Sequence, residues 1–420
     1  MRLLHTSDWH LGQTLYDFDR SFEHQCFLDW LLETLKTERP DALLIAGDVF
    51  DNSNPSASAQ HQLYRFLTAA RMQVPHLSIV MVAGNHDSPG RLEATAPFLH
   101  LFEAAVIGHV QRRADQGIDL ERLVVPLRDA QGNVAAWCLA IPFLRPSDVP
   151  RVEDASDPYL EGVAELYRQA LTVALARRQP GQAIVAMGHC HMVGGQVSET
   201  SERHIVIGGA EALSAGIFDP AIVYAALGHL HFPQAVGGRA HIRYSGSPLP
   251  MSFAEVDYPH QVLRIELDGE LVTEIQPIPV PRAVQLLRVP KKPAPIDEAL
   301  AALAALELPD RPEQEQPYLE VRVRLDAPEP GLRARVEAAL LGKPLRLARI
   351  EPTTARSGSD EDQPAALSLS DLERLSPESI FARLCEQKIG TEMPERETLL
   401  AELNAAFAEL ANAPAEGNAA

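Results

Sequence analysis

Cysteine is scarce in this 420-residue chain: four residues, Cys26, Cys138, Cys190 and Cys385, too far apart for any zinc or redox spacing. That excludes a disulfide scaffold and a thiolate metal site, and the four read as reduced thiols of a cytosolic protein. Long apolar runs are missing too. None reaches membrane-spanning length, and the N-terminus MRLLHTSDWH puts Asp8 and His10 where a signal peptide needs an apolar core. The expectation is a soluble, cytoplasmic protein with no membrane contact. Positive charge is in deficit, with 37 Lys and Arg against 57 Asp and Glu and a net charge of −20. A free-standing duplex-DNA binder draws most of its affinity from phosphate contacts. If this chain handles nucleic acid, positive charge must be supplied locally, by metal ions or by a partner. There is no internal repeat and no Gly-x-x-x-x-Gly-Lys-[Ser/Thr] phosphate loop.

What is present is an ordinary globular composition, 46% hydrophobic and 22% charged, in a chain too long for one core. Over the first 270 or so residues, short apolar runs alternate with amphipathic stretches. Arg2–Thr6, Ala42–Ala46, Ser78–Val82, Ala183–Met187 and Ala221–Leu227 read as buried strands. Phe27, Leu28, Leu31, Leu32 and Leu35, and later Leu63, Phe66 and Leu67, follow helical spacing between them. This order predicts an α/β protein of layered sheets covered by helices. Pro277, Pro279 and Pro281 suggest a linker, followed by a small βαβαβ domain: strands at Gln285–Val289, Tyr318–Leu325 and Leu345–Ile350, helices at Ile296–Leu306 and Gly331–Leu341. The boundaries expected are a main domain over 1–275, a small domain over 280–352, a linker over 353–367 and C-terminal helices over 368–412. Ser376-Pro377 offers an N-cap with proline at the first helical position, and Leu399, Leu403, Phe407 and Leu410 share a helix face. From residue 352 onward 13 acids face 5 bases, so this tail is suited to burying its apolar stripe on protein, its own or a partner's, rather than to gripping phosphates.

The chemistry sits where the strands end. After the five strands come Ser7-Asp8-Trp9-His10, Gly47-Asp48-Val49-Phe50-Asp51, Gly84-Asn85-His86-Asp87, Gly188-His189-Cys190-His191 and Gly228-His229-Leu230-His231. Each fragment alone has an ordinary reading as a turn, a helix cap or a satisfied core histidine. Five in order, at the strand ends where open α/β sheets build their sites, exceed what turn statistics supply. Carboxylate, carboxamide and imidazole without thiolate suit Mn²⁺ or Fe²⁺ better than a closed structural zinc site. Alternate residues of an extended segment project the same way, so Asp8 with His10, and His229 with His231, are expected to face one cleft. There are too many ligands for one ion, and Asp48, central in the set, is the natural bridge between two.

The order Asp-x-His, Gly-Asp-x-x-Asp, Gly-Asn-His-Asp, Gly-His, Gly-His-x-His resembles the calcineurin-like metallophosphoesterase superfamily. LLHTSDWHLG, LLIAGDVFDNSNP, VAGNHDSP, ALGHLH and YSGSPLPMSF narrow the resemblance to its SbcD nuclease-subunit family, over most of residues 1–265. The resemblance implies a metallophosphoesterase sandwich of α/β/β/α layers, with the small domain as a cap and the C-terminal helices as a partner-docking element. It implies one ion on Asp8, His10, Asp48 and His231, a second on Asp48, Asn85, His189 and His229, and His86 as the catalytic histidine. Family position favours His189 over His191. Relatives outside bacteria carry a histidine where this chain has Asp51, so that histidine's role does not transfer; Asp87 could orient His86 or cap the next helix. The implied activity is a Mn²⁺-dependent DNA nuclease: 3′–5′ exonuclease on duplex ends, endonuclease on single strands and hairpins. It is expected to work as a homodimer joined to an SbcC-like ATPase. Four positive charges from two ions, against the carboxylates of Asp8 and Asp48, would give an acidic protein a local place to dock a phosphodiester. Two rival readings are a phosphatase or small-molecule phosphodiesterase of the same superfamily, and a non-enzymatic scaffold on the ATPase.

Overall fold

In a computed structural model, residues 1–94, 104–153, 155–196, 212–325, 327, 329–354, 403 and 407 are described. The chain divides into two units, Met1–Thr354 and Ala355–Ala420. In the second, Leu403 and Phe407 are helical and half-buried. Thr353 and Thr354, expected to open the linker, are strand residues instead; the rest of that linker and of the C-terminal helices lies outside the described residues.

The first unit is built on two six-stranded sheets. One holds β1 (Arg2–Thr6), β4 (Ala42–Ala46), β5 (Ser78–Val82), β6 (Ala104–Ile107), β13 (Gln261–Asp268) and β14 (Leu271–Pro279), in the order β14-β13-β1-β4-β5-β6. The strands from β1 to β6 run parallel, and β13 and β14 are added antiparallel at one edge. The other holds β7 (Val124–Arg128), β8 (Val134–Ala140), β9 (Ala183–His189), β10 (Tyr224–Gly228), β11 (Gln234–Val236) and β12 (Arg239–Tyr244), in the order β11-β12-β10-β9-β8-β7. Its four central strands are parallel as well. A short hairpin, β2 (Thr14–Leu15) with β3 (Phe18–Asp19), follows the first strand.

The apolar runs are buried on both faces because each face has a cover. Leu3, Leu44, Ala46, Val80 and Val82 point into a core shared with the second sheet. Their neighbours Leu4, Leu43, Ile45, Ile79 and Met81 point the other way, onto Phe27, Leu28, Leu31 and Leu35 of the helix Ser21–Glu38 and onto Leu63, Phe66 and Leu67 of the helix Ala57–Gln73. The second sheet is covered by the helix Pro158–Arg177, which buries Val163, Leu166, Ala170 and Ala174. Asp157 caps that helix by accepting from the Tyr159 and Leu160 N–H groups at 3.0 Å, with Pro158 at the first helical position. The layers are therefore α/β/β/α.

The small domain is a parallel three-stranded sheet of β15 (Leu286–Pro295), β16 (Tyr318–Leu325) and β17 (Arg346–Thr354). Helices Ile296–Ala304 and Leu332–Leu340 pack on it through Leu303, Val336 and Leu340. It is seated on the main domain by Leu15, Phe253, Val284, Leu286 and Tyr318. Beside them, the buried Arg20 forms a bidentate pair with Glu23 at 2.8 and 2.9 Å, and Tyr318 donates to Glu23 at 3.0 Å. One expectation needs correcting. Pro277 and Pro279 are not linker residues but part of β14, which pairs with β13 as far as Pro279. Proline is tolerated there because β14 is an edge strand, where a missing N–H costs no ladder bond.

Candidate metal centre

The carboxyl ends of β1, β4 and β5 in one sheet meet those of β9 and β10 in the other. The backbone knits the turns together: Asp8 N–H donates to the Gly47 carbonyl and His10 N–H to that of Asp48, both at 3.0 Å. Two glycines permit the approach. Gly47 lies at φ +89°, and a methyl group on it would strike the His189 ring; one on Gly228 would land on the Ala46 carbonyl oxygen. The fourth and fifth strands differ slightly from expectation. β9 continues through His189, which pairs with Gly228 of β10, and β10 begins at Tyr224 rather than at Ala221.

The side chains converge, though not for the expected reason. Asp8, His10, Asp48 and His229 have φ of 56°, 49°, 48° and 106°. They are not in extended segments whose alternate residues project together; left-handed turns aim each side chain inward. Non-glycine residues rarely hold such angles, and the strain concentrates in this cluster.

Ligating atoms of Asp8, His10 and His231 lie within 4.8 Å of one another, as do those of Asp8, Asp48 and His189, and those of His10, Asp48 and His86. Asn85 Oδ1 sits 3.0 Å from His189 Nε2 and 3.1 Å from His229 Nδ1. His189 Nε2 is also 3.3 Å from Asp48 Oδ2. Asp48 thus touches both halves of the cluster. His191 belongs to none of these three clusters, and its ring lies 6.3 Å from that of His229.

Neighbouring groups fix the orientation of several rings. His189 donates through Nδ1 to the Ala46 carbonyl at 2.9 Å, which turns Nε2 inward. His231 Nδ1 is 2.8 Å from Glu255, a fully buried carboxylate. His86 has Nδ1 2.6 Å from the Asp51 carbonyl, and its backbone N–H donates to Asp48 Oδ1 at 2.8 Å. The Asp51 carboxylate lies 3.5 Å from His10 Nδ1. Asp87 neither orients His86 nor caps a helix. It accepts from the N–H groups of Val49, Phe50 and Gly84 at 3.1, 2.9 and 2.9 Å and so ties the second turn to the third. Asp87 and Asp51 were visible in the motifs without a role, whereas Glu255 was missed, since a lone acid in a loop 24 residues after His231 gives no local signal.

The cluster fits cations. His10 Nε2 is buried with no hydrogen-bond partner, 3.8 Å from Asp48 Oδ2. His189 Nε2, Asn85 Oδ1 and Asp48 Oδ2 are acceptors brought face to face, an arrangement that only a proton or a metal ion relieves. Burial opposes charge on His189, yet the Asp48 carboxylate outweighs it and raises the imidazole pKa to about 9. Burial would raise Asp48, but His189 first, then His10 and His86, hold it well below the carboxylate range. Burial, then His189, keep His229 well below the usual imidazole range, in the neutral form that ligates. Burial and the charge of Asp48 push Asp87 up to about 6. With Asp51, Asp87 and Glu255 around the centre, counting only Asp8 and Asp48 overstated the positive surplus that ions would leave.

Comparison with known proteins decides the family. The family described as calcineurin-like phosphoesterase matches residues 1–233, and a second, described as type 5 capsule protein repressor C-terminal domain, matches residues 282–388. A Rhodobacter capsulatus protein, named as the SbcD polypeptide of the nuclease SbcCD, is 44% identical over 390 residues, 91% of this chain and 94% of its own length. The chain belongs to the SbcD family of calcineurin-like phosphoesterases. The Escherichia coli K12 protein of the same name is 33% identical over 397 residues, covering 91% of this chain and 92% of the relative. That of Bacillus subtilis is 36% identical over 274 residues, 63% of this chain and 66% of its own. Members are metal-dependent hydrolases, and Asp8, His10, Asp48, His86, His189 and His231 are described side chains of this chain close enough together to hold a divalent ion.

Proposed function

We propose that this chain is the nuclease subunit of an SbcCD-type complex, hydrolysing DNA phosphodiesters at a two-ion centre with Mn²⁺ as the metal. Asp8, His10, Asp48 and His231 would hold one ion, and Asp48, Asn85, His189 and His229 the other. The reading is carried by one observation: the buried His10 Nε2 has no hydrogen-bond partner, beside a set of converging acceptors. The chemistry of the donors, oxygen and imidazole nitrogen with no sulfur, suits manganese.

When bound, the ions supply positive charge against the scissile phosphate and a more acidic attacking water. The chain's own groups do the rest. Asp48 is fixed by the His86 N–H, and Asp8 by the His229 N–H at 3.0 Å and the Ser7 hydroxyl at 2.5 Å, so neither carboxylate has to reorganise. With Nδ1–H given to the Asp51 carbonyl, His86 would pass a proton from Nε2 to the leaving sugar oxygen starting from the imidazolium, and would end as the neutral Nδ1–H form. Its ring lies edge-on to that of His10 at 4.9 Å, against the same cluster.

Residues 280–352 would cap the site and select DNA, and 368–412 would dock on an SbcC-like ATPase, as the relatives' names imply a nuclease of more than one polypeptide. Duplex ends and hairpins are the expected substrates and a homodimer the working form. The test is Mn²⁺-dependent cleavage of end-labelled hairpin DNA, with and without ATPase and ATP, by wild type, Asp48→Ala and His86→Gln. Cleavage by wild type alone supports the proposal. Intact DNA with rapid hydrolysis of a small phosphodiester would point to a phosphatase instead.

A further inference from the structure

Glu255 is fully buried, and both of its carboxylate oxygens are engaged. Oε1 lies 2.8 Å from His231 Nδ1, and Oε2 accepts the Met251 N–H at 2.8 Å. With Nδ1 so committed, Nε2 is the nitrogen that His231 can offer to an ion. A carboxylate behind a ligating imidazole sets its tautomer, fixes its plane and raises its basicity.

The turn that carries Glu255 is gripped from several sides. Arg20 donates to the Pro250 carbonyl at 2.7 Å and Gln13 to that of Met251 at 3.0 Å. Arg282, four residues before β15, donates to the Val256 carbonyl at 2.8 Å, and Arg288, on β15, donates to the Phe253 carbonyl. Phe253 itself packs with Leu286 and Tyr318 of the small domain. The path from β15 to His231 is therefore short and contiguous: the Arg288 guanidinium, the Phe253 carbonyl, one turn of 3₁₀ helix over Phe253–Glu255, the carboxylate, the imidazole.

We propose that Glu255 is a positioning residue for His231 and that the Phe253–Glu255 turn transmits the seating of the small domain to the metal centre. This rests on the two-ion reading of the site and adds to it a route by which the cap governs one ligand. Glu255→Gln keeps the side chain's size, but its amide NH₂ must face one of the two N–H donors, so one bond is lost. Glu255→Ala removes both.

The test titrates Mn²⁺ into the ion-free full-length chain and follows the spin-resonance signal of free Mn²⁺, with circular dichroism as the check on folding. Wild type should take up two ions. Glu255→Gln and Arg288→Ala, each with wild-type dichroism, should weaken one ion by about 10–100-fold, the range for such supporting groups, and leave the other unchanged. Affinity for both ions equal to wild type in either variant overturns the proposal. Fewer than two ions on the wild-type protein would instead overturn the reading of the site on which it rests.

Discussion

Gly228→Ala is a one-methyl change with a large expected consequence. The added carbon would overlap the Ala46 carbonyl oxygen and lie 2.9 Å from both His189 Nδ1 and Ser7 Cβ, closer than such carbons are found. Two of these neighbours are strand backbone or anchored to it, and His189 is held by Ala46, so none can swing aside. The ends of β4 and β10 must separate by about 1 Å. Overpacking of this kind costs about 1–3 kcal/mol of stability. Displacing catalytic groups by about 1 Å costs about 10²-fold in rate. Gly90 is the matched control: it lies in the helix Pro89–Glu93 with nothing within 4 Å of an added methyl, so Gly90→Ala should be neutral or stabilising by up to about 1 kcal/mol. Urea unfolding midpoints and initial rates of Mn²⁺-dependent DNA cleavage read both effects. Wild-type rate and midpoint in Gly228→Ala would refute the close approach of the two sheets at the centre.

Three further outcomes follow from the structure. Arg20→Leu leaves Glu23 buried without its partner and should cost about 3–5 kcal/mol, while Arg20→Leu with Glu23→Leu should recover most of it, as a double-mutant cycle in urea would read. Burial lowers His5 and His24 to about 3, below their unfolded value of 6.5, so the unfolded chain binds more protons in acid. Stability is therefore full above pH 6.5 and falls as pH drops, by about 2 kcal/mol for each histidine at pH 5; a midpoint equal at pH 7 and pH 5 would contradict this. Chelation should lower the thermal midpoint, and Mn²⁺ at about 100 times its Kd should restore about 2.7 kcal/mol in wild type but much less in Asp48→Ala, measured by calorimetry.

Most of the candidate site was legible because its residues are tied to strand ends by short motifs. β1, β4 and β5 are read correctly from apolar runs alone, since strands covered on both faces need no alternation. The strands that escaped notice have other reasons. β7 contains Pro126, β14 carries two prolines allowed by its edge position, and in β13 the apolar Leu263, Ile265 and Leu267 alternate with the charged Arg264, Glu266 and Asp268, unlike the continuous apolar runs of β1, β4 and β5. Left-handed backbone at Asp8, His10, Asp48 and His229 has no sequence signal when the residue is not glycine. Glu255 and Asp87 contact groups brought near only by folding, His231 Nδ1 and the Phe50 N–H, so no local motif marks them.

The measurement that bears most directly on the central claim is anomalous diffraction at the manganese edge from crystals soaked in Mn²⁺. Two peaks are expected, both in contact with Asp48, one beside His10 and His231 and the other beside Asn85, His189 and His229. A single peak away from Asp48, or none among these side chains, would contradict the two-ion centre and the nuclease chemistry built on it.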